Sequence, residues 1–246
     1  MRAVIVNSLQ KGWEVIYQRS HANLAAMLVA AWCQEDHVPR WTELIVATAQ
    51  HDDQEMFWSN SPHLTDKGAP LDFTQNDINT TQTQAQRVIE NAYRQGLWIA
   101  LLISRHNSFL YEPMRGTDEQ LDAFLDEQKR NQKEWCAKLG YSREQVERAY
   151  SFLRWADRMS LILCRRRLPD RDRELDVAPD RHGTMVRVRQ RPDNTLSLTP
   201  WIFEDEHLNF SIEVRQLDQL AFADDQAFVD AMDSAEIKVR EWCFRK

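Results

Sequence analysis

The chain has 246 residues, of which 43% are hydrophobic and 28% are charged, a composition typical of a soluble globular protein and not of a disordered chain. With 31 basic and 38 acidic residues, its net charge of −7 gives no broad positive surface for a nucleic acid polymer or an anionic membrane. The longest apolar run, at residues 97–103, is too short to span a membrane. The N-terminus lacks the apolar region of a signal peptide, so we expect a cytoplasmic protein.

The chain opens with two short apolar runs, at residues 3–6 and 13–17, which predict a pair of strands. A helix is predicted next, over residues 21–32, with an apolar stripe that His21 begins. A single histidine in that position is more often a core or capping residue than a ligand. Its interpretation therefore depends on the other histidines and aspartates.

A second helix, predicted from Thr42 onward, carries His51 and Asp52 beside its apolar positions. An ionised carboxylate on a core-facing helix is costly unless a cation or a metal ion is bound there. Taken alone, the pair also fits a helix end with a solvated acidic cluster.

Residues 58–73 contain two prolines and a glycine and predict a long loop, which is either a lid or a surface excursion.

Two later helices each carry one polar residue on a core face. Residues 97–110 are apolar on nearly every side, and His106 interrupts them. In the helix predicted over residues 143–164, Asp157 lies at four-residue spacing from two leucines of the apolar stripe. The first of these observations predicts that His106 faces other buried groups, and the second places a carboxylate in the core.

After the three arginines at residues 165–167, the spacing of the apolar residues changes from a helical period to a period of two residues. Apolar and polar residues alternate in four segments, which predict strands at residues 185–190, 196–199, 210–217 and 237–244. The fold class expected from the sequence is therefore mainly α. A helical bundle over residues 20–165 would be joined to a smaller β-rich part over residues 166–246, with which the N-terminal strands of residues 1–19 could pair.

The order His21, His51-Asp52, Asp157 resembles the HD-domain superfamily and, within it, a bacterial branch described as a domain of unknown function. The resemblance covers roughly residues 20–165. Members of the superfamily are helical bundles whose His…His-Asp…Asp set binds a divalent metal, and most characterised ones are phosphohydrolases. The resemblance implies that these four residues bind a metal ion. Imidazole and carboxylate ligands suit Mn, Fe, Co, Ni or Zn, and the ligand types do not choose among them.

The resemblance also implies residues for catalysis and for substrate binding. Glu55 matches a glutamate that nucleotidase-like members place near the catalytic water, and Asp53 is a second candidate general base. Members that bind two metals carry two further histidines, whereas here only His106 fits, so the number of metal ions stays open. The candidates for holding a substrate phosphate are His106, Arg105, Arg154 and Arg158. A surface ion pair is the plainer interpretation of each arginine.

Three functions follow from this interpretation. The first is a metal-dependent phosphohydrolase that acts on a nucleotide or another small phosphorylated metabolite. The second is a di-iron oxygenase of the kind that a few HD-type proteins have become. The third is a metal-free HD scaffold that acts as a binding protein through its β-rich part. The sequence leaves the oligomeric state open.

Overall fold

The computed structural model describes residues 4–52, 63–75 and 78–246. Helices account for about 50% of the chain and strands for about 22%, and the strands form a single curled sheet of seven strands, a half-barrel. The strands are β1 (Val4–Ser8), β2 (Trp13–Tyr17), β3 (Glu174–Pro179), β4 (Met185–Gln190), β5 (Leu196–Thr199), β6 (His207–Leu217) and β7 (Glu236–Arg245).

The helices are α1 (Gln18–Ala30), α2 (Trp41–Gln50), α3 (Ile78–Gln95), α4 (Leu97–Tyr111), α5 (Glu119–Leu139), α6 (Arg143–Cys164) and α7 (Asp225–Ser234). Helices α1 to α6 form a layer that packs on one face of this sheet, with α1 against β6 and α6 against β3. Within the layer, α2 and α6 contact each other, and both contact α1 and α4. Across the described ranges, no helix has the length and apolar character that crossing a membrane requires.

The expectation of a mainly α protein with a smaller β part is wrong, because the fold is α/β. The strand order is β1-β2-β6-β7-β5-β4-β3, with every neighbouring pair antiparallel except β5 and β7. The N-terminal hairpin joins the C-terminal strands through β2 and β6. Strands β6 and β7 have 11 and 10 residues, so the sheet is a full layer of the protein and not an appendage to a bundle.

Apolar residues cover both faces of part of the sheet. In β6 the alternating residues Phe210, Ile212 and Val214 are buried against the helical layer and belong to the main core. At the β1-β2-β6 end, the opposite face packs against α7 in a second, smaller core that includes Val15 and Phe228. Both cores follow from the two-residue period of the strands, which sends successive side chains to opposite faces.

A buried ion-pair network ties the sheet to the last turn of α6. The Glu14 side chain, 7% exposed, accepts from Arg240 at 2.8 Å and from Arg166 at 2.8 Å. Burial by itself would raise the pKa of Glu14, but the two guanidinium groups outweigh it and lower the pKa. Arg240 also donates to the carbonyl oxygens of Leu163 and Cys164, at 2.8 and 3.1 Å, where a helix end favours a cation.

We expect Glu14→Ala to lower the free energy of unfolding by about 3 kcal/mol, because it leaves Arg240 largely buried without its carboxylate. Urea denaturation measures the change. Glu213→Ala on β6 is the matched control, since that side chain is 67% exposed and its loss should cost less than about 0.5 kcal/mol. An equal decrease in the free energy of unfolding of the two variants would contradict the importance of the Glu14–Arg240 pair for stability.

Candidate metal centre

The structure brings together side chains from α1, from the end of α2 and from α6. One ligand atom each of His21, His51 and Asp157 lies within 4.8 Å of the others, and all three residues are buried. The closest of these contacts joins His51 Nε2 to Asp157 Oδ1 at 3.2 Å. A cluster of this kind could hold a metal ion.

Asp52 completes the group on its more open side. Its Oδ2 atom lies 2.8 Å from His21 Nε2 and 3.7 Å from His51 Nε2. The Asp52 side chain is 20% exposed, whereas both imidazoles are fully buried. Of the four residues predicted from the His…His-Asp…Asp order, His21, His51 and Asp157 form the group whose ligand atoms lie within 4.8 Å of one another. Asp52 contacts both histidines at the more exposed side of that group.

Hydrogen bonds behind the two histidines fix which ring nitrogen faces the centre. The Ser160 hydroxyl donates to the Asp157 carbonyl oxygen, so it is free to accept from His21 Nδ1 at 2.9 Å. His51 Nδ1 donates to the Thr48 carbonyl oxygen at 2.7 Å. Both rings consequently turn Nε2 toward the carboxylates, which is the arrangement of metal-binding histidines held by an outer partner.

The charges of the cluster require a cation. Burial by itself would lower the pKa of His51, but Asp52 and Asp157 outweigh it and raise the pKa to about 9. Despite burial, the pKa values of both aspartates lie below their usual range, because His51 faces each of them. At neutral pH a proton on His51 supplies this positive charge, and a divalent ion held by the imidazole and carboxylate donors would replace that proton.

His106 lies beside the cluster, as a third imidazole that reaches it from α4. Its Nε2 atom lies 3.9 Å from Asp157 Oδ2, and its Nδ1 lies 3.3 Å from the Tyr150 hydroxyl. Burial lowers the pKa of His106 to about 4 and raises that of Tyr150, so both groups are neutral at pH 7. The Tyr150 hydroxyl can therefore donate to Nδ1, which leaves a proton on Nε2 toward the centre.

The three arginines predicted to hold phosphate have other partners in the structure. Arg105 forms a two-bond ion pair with Glu147, at 2.6 and 3.0 Å. Arg158 makes a long hydrogen bond, 3.4 Å, to a carbonyl oxygen of β3, and the Arg154 guanidinium lies 5.7 Å from the centre of the Phe109 ring. Phosphate binding by these arginines stays a prediction, as does the general-base role of Asp53 and Glu55, which lie outside the described residues.

The sequence interpretation missed the outer partners of the histidines. Ser160 lies one turn after Asp157 on the same face of α6, a spacing that could have identified it. Tyr150 is a buried residue of the same helix, and an apolar stripe in a sequence does not distinguish a buried ring from a ring whose hydroxyl has a partner. The Thr48 carbonyl oxygen has no signature in the sequence, since every residue carries one.

In protein freed of metal by a chelator, we expect stability to fall as the pH rises from about 6.5 to about 9. The raised pKa of His51 means that the folded protein keeps a proton that the unfolded chain releases, so this contribution is complete below pH 6.5 and is lost through pH 9. The loss should be on the order of 3 kcal/mol by urea denaturation. His51→Gln should abolish this dependence, and a wild-type stability that is constant over the range would contradict the charge assignment.

Comparison with known proteins places the chain in a family without supplying an activity. No curated protein and no solved structure matches it. A family model described as "Protein of unknown function (DUF3891)" matches residues 4–219, which is most of the chain, and the protein therefore belongs to this family.

Proposed function

We propose that this protein is a metal-dependent phosphohydrolase of the HD type that acts on a nucleotide or another small phosphorylated metabolite. The observation that supports it is the meeting of two imidazole Nε2 atoms and two carboxylates in the interior of the helical layer. The His…His-Asp…Asp order of these residues resembles that of the HD superfamily. A buried group of this composition is costly to maintain for structure alone, which favours a function.

The residues that would hold the ion are His21, His51, Asp52 and Asp157. The ion is a divalent transition metal, with Mn, Fe, Co, Ni and Zn all compatible with these donors. When bound, such an ion lowers the pKa of a coordinated water and offsets the charge of a phosphoryl oxygen. The outer hydrogen bonds from Ser160 and Thr48 to the histidines are in place in the structure, so the ligand atoms are already oriented.

The protein's own groups would position the substrate and move the proton. His106 would donate from Nε2 to a substrate oxygen, since it is neutral at pH 7 and lies at the edge of the cluster. Glu55, or else Asp53, would take the proton from the attacking water. Arg105, Arg154 or Arg158 would reach a more distant phosphate oxygen, and for Arg105 this would require release from Glu147.

The exposure of the cluster favours a small substrate group. Only Asp52 among the ligands has a fifth of its side chain in contact with solvent, while both imidazoles are buried. A terminal phosphoryl group is small enough to approach such a site at one side, and a folded polymer is not. This supports a small phosphorylated metabolite over a nucleic acid polymer.

The first test compares Asp52→Ala with Glu55→Ala in protein purified without chelator. Asp52→Ala should lose both the metal and turnover, because a ligand bond and a negative charge are gone. Glu55→Ala should keep full metal occupancy while turnover falls by about 10² to 10⁴. Elemental analysis gives the metal content, and a phosphatase panel with added Mn²⁺, Co²⁺ and Ni²⁺ gives the rates. Asp66→Ala, at an exposed carboxylate, is the control and should behave as wild type.

Several outcomes would revise or reject the proposal. Metal retained by Asp52→Ala would mean that the site has been misassigned. Wild-type turnover by Glu55→Ala would assign the general-base role to Asp53 and leave the rest of the proposal in place. Wild-type protein that contains no metal and gains no activity with any added ion would favour the metal-free scaffold. Iron as the bound metal, together with a visible absorption band, would favour the di-iron oxygenase.

A second test distinguishes the role of His106 from that of Tyr150, whose hydroxyl contacts it. His106→Ala should keep its metal and lose about 10² in turnover, because a donor to the substrate is removed. Tyr150→Phe should keep the metal but move the acid limb of the pH-rate profile to higher pH, since the hydroxyl that favours neutral His106 is absent. If neither variant changes the rate or the pH profile, His106 is a structural core histidine.

A further inference from the structure

A groove on the outer side of the helical layer contains none of the four proposed metal ligands, although Arg105, a candidate phosphate-binding residue of the proposed reaction, contributes to its lining. It lies between α4, α5 and the start of α6 and has a volume of about 1020 Å³. Its apolar lining includes Leu101, Leu125 and Val146, all buried residues of the main core, and Phe109 lies at its edge, 41% exposed. A volume of this order accommodates a drug-sized ligand, and an apolar lining open to water favours a ligand with an apolar body.

The rim of the groove carries unpaired positive charge. Lys129 and Lys133 extend from α5 and Arg143 from the first turn of α6, and all three are exposed. Within the residues that the structure describes, none of the three has an ion-pair partner. The two acidic residues of the lining, Glu112 and Glu147, are already paired with Arg115 and Arg105. The side-chain charge at the rim of the groove that is not neutralised by an ion pair is therefore positive.

One tyrosine, Tyr150, contacts both a residue of the groove lining and a residue beside the candidate metal centre. The Arg105 guanidinium, which lines the groove, lies 4.7 Å from the centre of the Tyr150 ring. The hydroxyl of the same tyrosine contacts His106 beside the metal centre. The groove shares no residue with the four proposed metal ligands, so it can bind a ligand whether or not the centre holds an ion.

We propose that this groove binds a small amphipathic anion, with a carboxylate or phosphate head and an apolar chain. The head would lie among Lys129, Lys133 and Arg143, and the chain would cover Leu101, Leu125 and Val146. The charged groups of these three residues are on exposed side chains, so they are suited to bind an anionic head at the entrance of the groove and not a group inside its apolar lining. Neither a simple inorganic anion nor a neutral apolar molecule uses both parts of the groove.

Isothermal titration calorimetry of the full chain tests the proposal, with decanoate, decyl phosphate and uncharged 1-decanol as probes. We expect saturable one-to-one binding of decanoate, decyl phosphate or both, at least tenfold tighter than decanol. Whichever of the two anions binds more tightly identifies the preferred head. Ala137→Trp, at an exposed lining position on α5, should weaken binding at least tenfold by filling the groove without disturbing the core.

Charge reversal tests the rim. Lys129→Glu with Lys133→Glu should weaken anion binding at least tenfold, while Arg130→Glu with Lys138→Glu, which makes the same change in net charge on α5 away from the lining, should change it less than twofold. Asp157→Asn should bind as wild type, so a failed metal centre does not affect the result. No saturable binding of either anion, equal affinity for decanol, or affinity unchanged by Ala137→Trp would overturn the proposal.

Discussion

The placement of two carboxylates, that of Asp157 buried and that of Asp52 20% exposed, against two buried imidazoles is the constraint on which the rest of this structure depends. Asp52 and Asp157 approach two buried imidazoles within hydrogen-bonding distance, and a buried negative charge costs several kcal/mol unless a cation faces it. The cation is either the proton on His51 or a bound ion. Because the participating side chains come from α1, from the end of α2 and from α6, the same interaction that forms the site also fixes how these helices meet.

The sheet contributes to the site through α6. This helix carries Asp157 and Ser160 in its second half and is fixed at both ends. At its start the Ser142 side chain and Gln145 form a capping box, and at its end Arg240 binds the last carbonyl oxygens while pairing with Glu14. Strands β2 and β7 therefore hold the end of the helix whose Asp157 lies about two turns earlier.

Local patterns predicted the buried histidine and aspartate cluster better than they predicted the fold. His21, His51 and Asp157, which come together in the structure, could be identified because each lies on an apolar helical stripe, and such a stripe is visible within a few turns of sequence. The extent of the sheet was not visible in this way, since Trp13 on β2 pairs with Leu217 on β6. Strand β3 was also missed, because charged residues precede it.

The raised pKa of His51 would link the stability of the fold to metal binding at the proposed site. At neutral pH the protein without metal keeps the proton on His51, and the two aspartates face a positive charge. If the proposed site holds an ion, removing that ion near pH 7 would leave the helical layer folded, because the proton would supply the positive charge. Above pH 9 this proton is lost, and the two carboxylates would face neutral imidazoles. Binding of an ion would displace the same proton, so the affinity of the proposed site for metal would rise with pH until His51 is neutral.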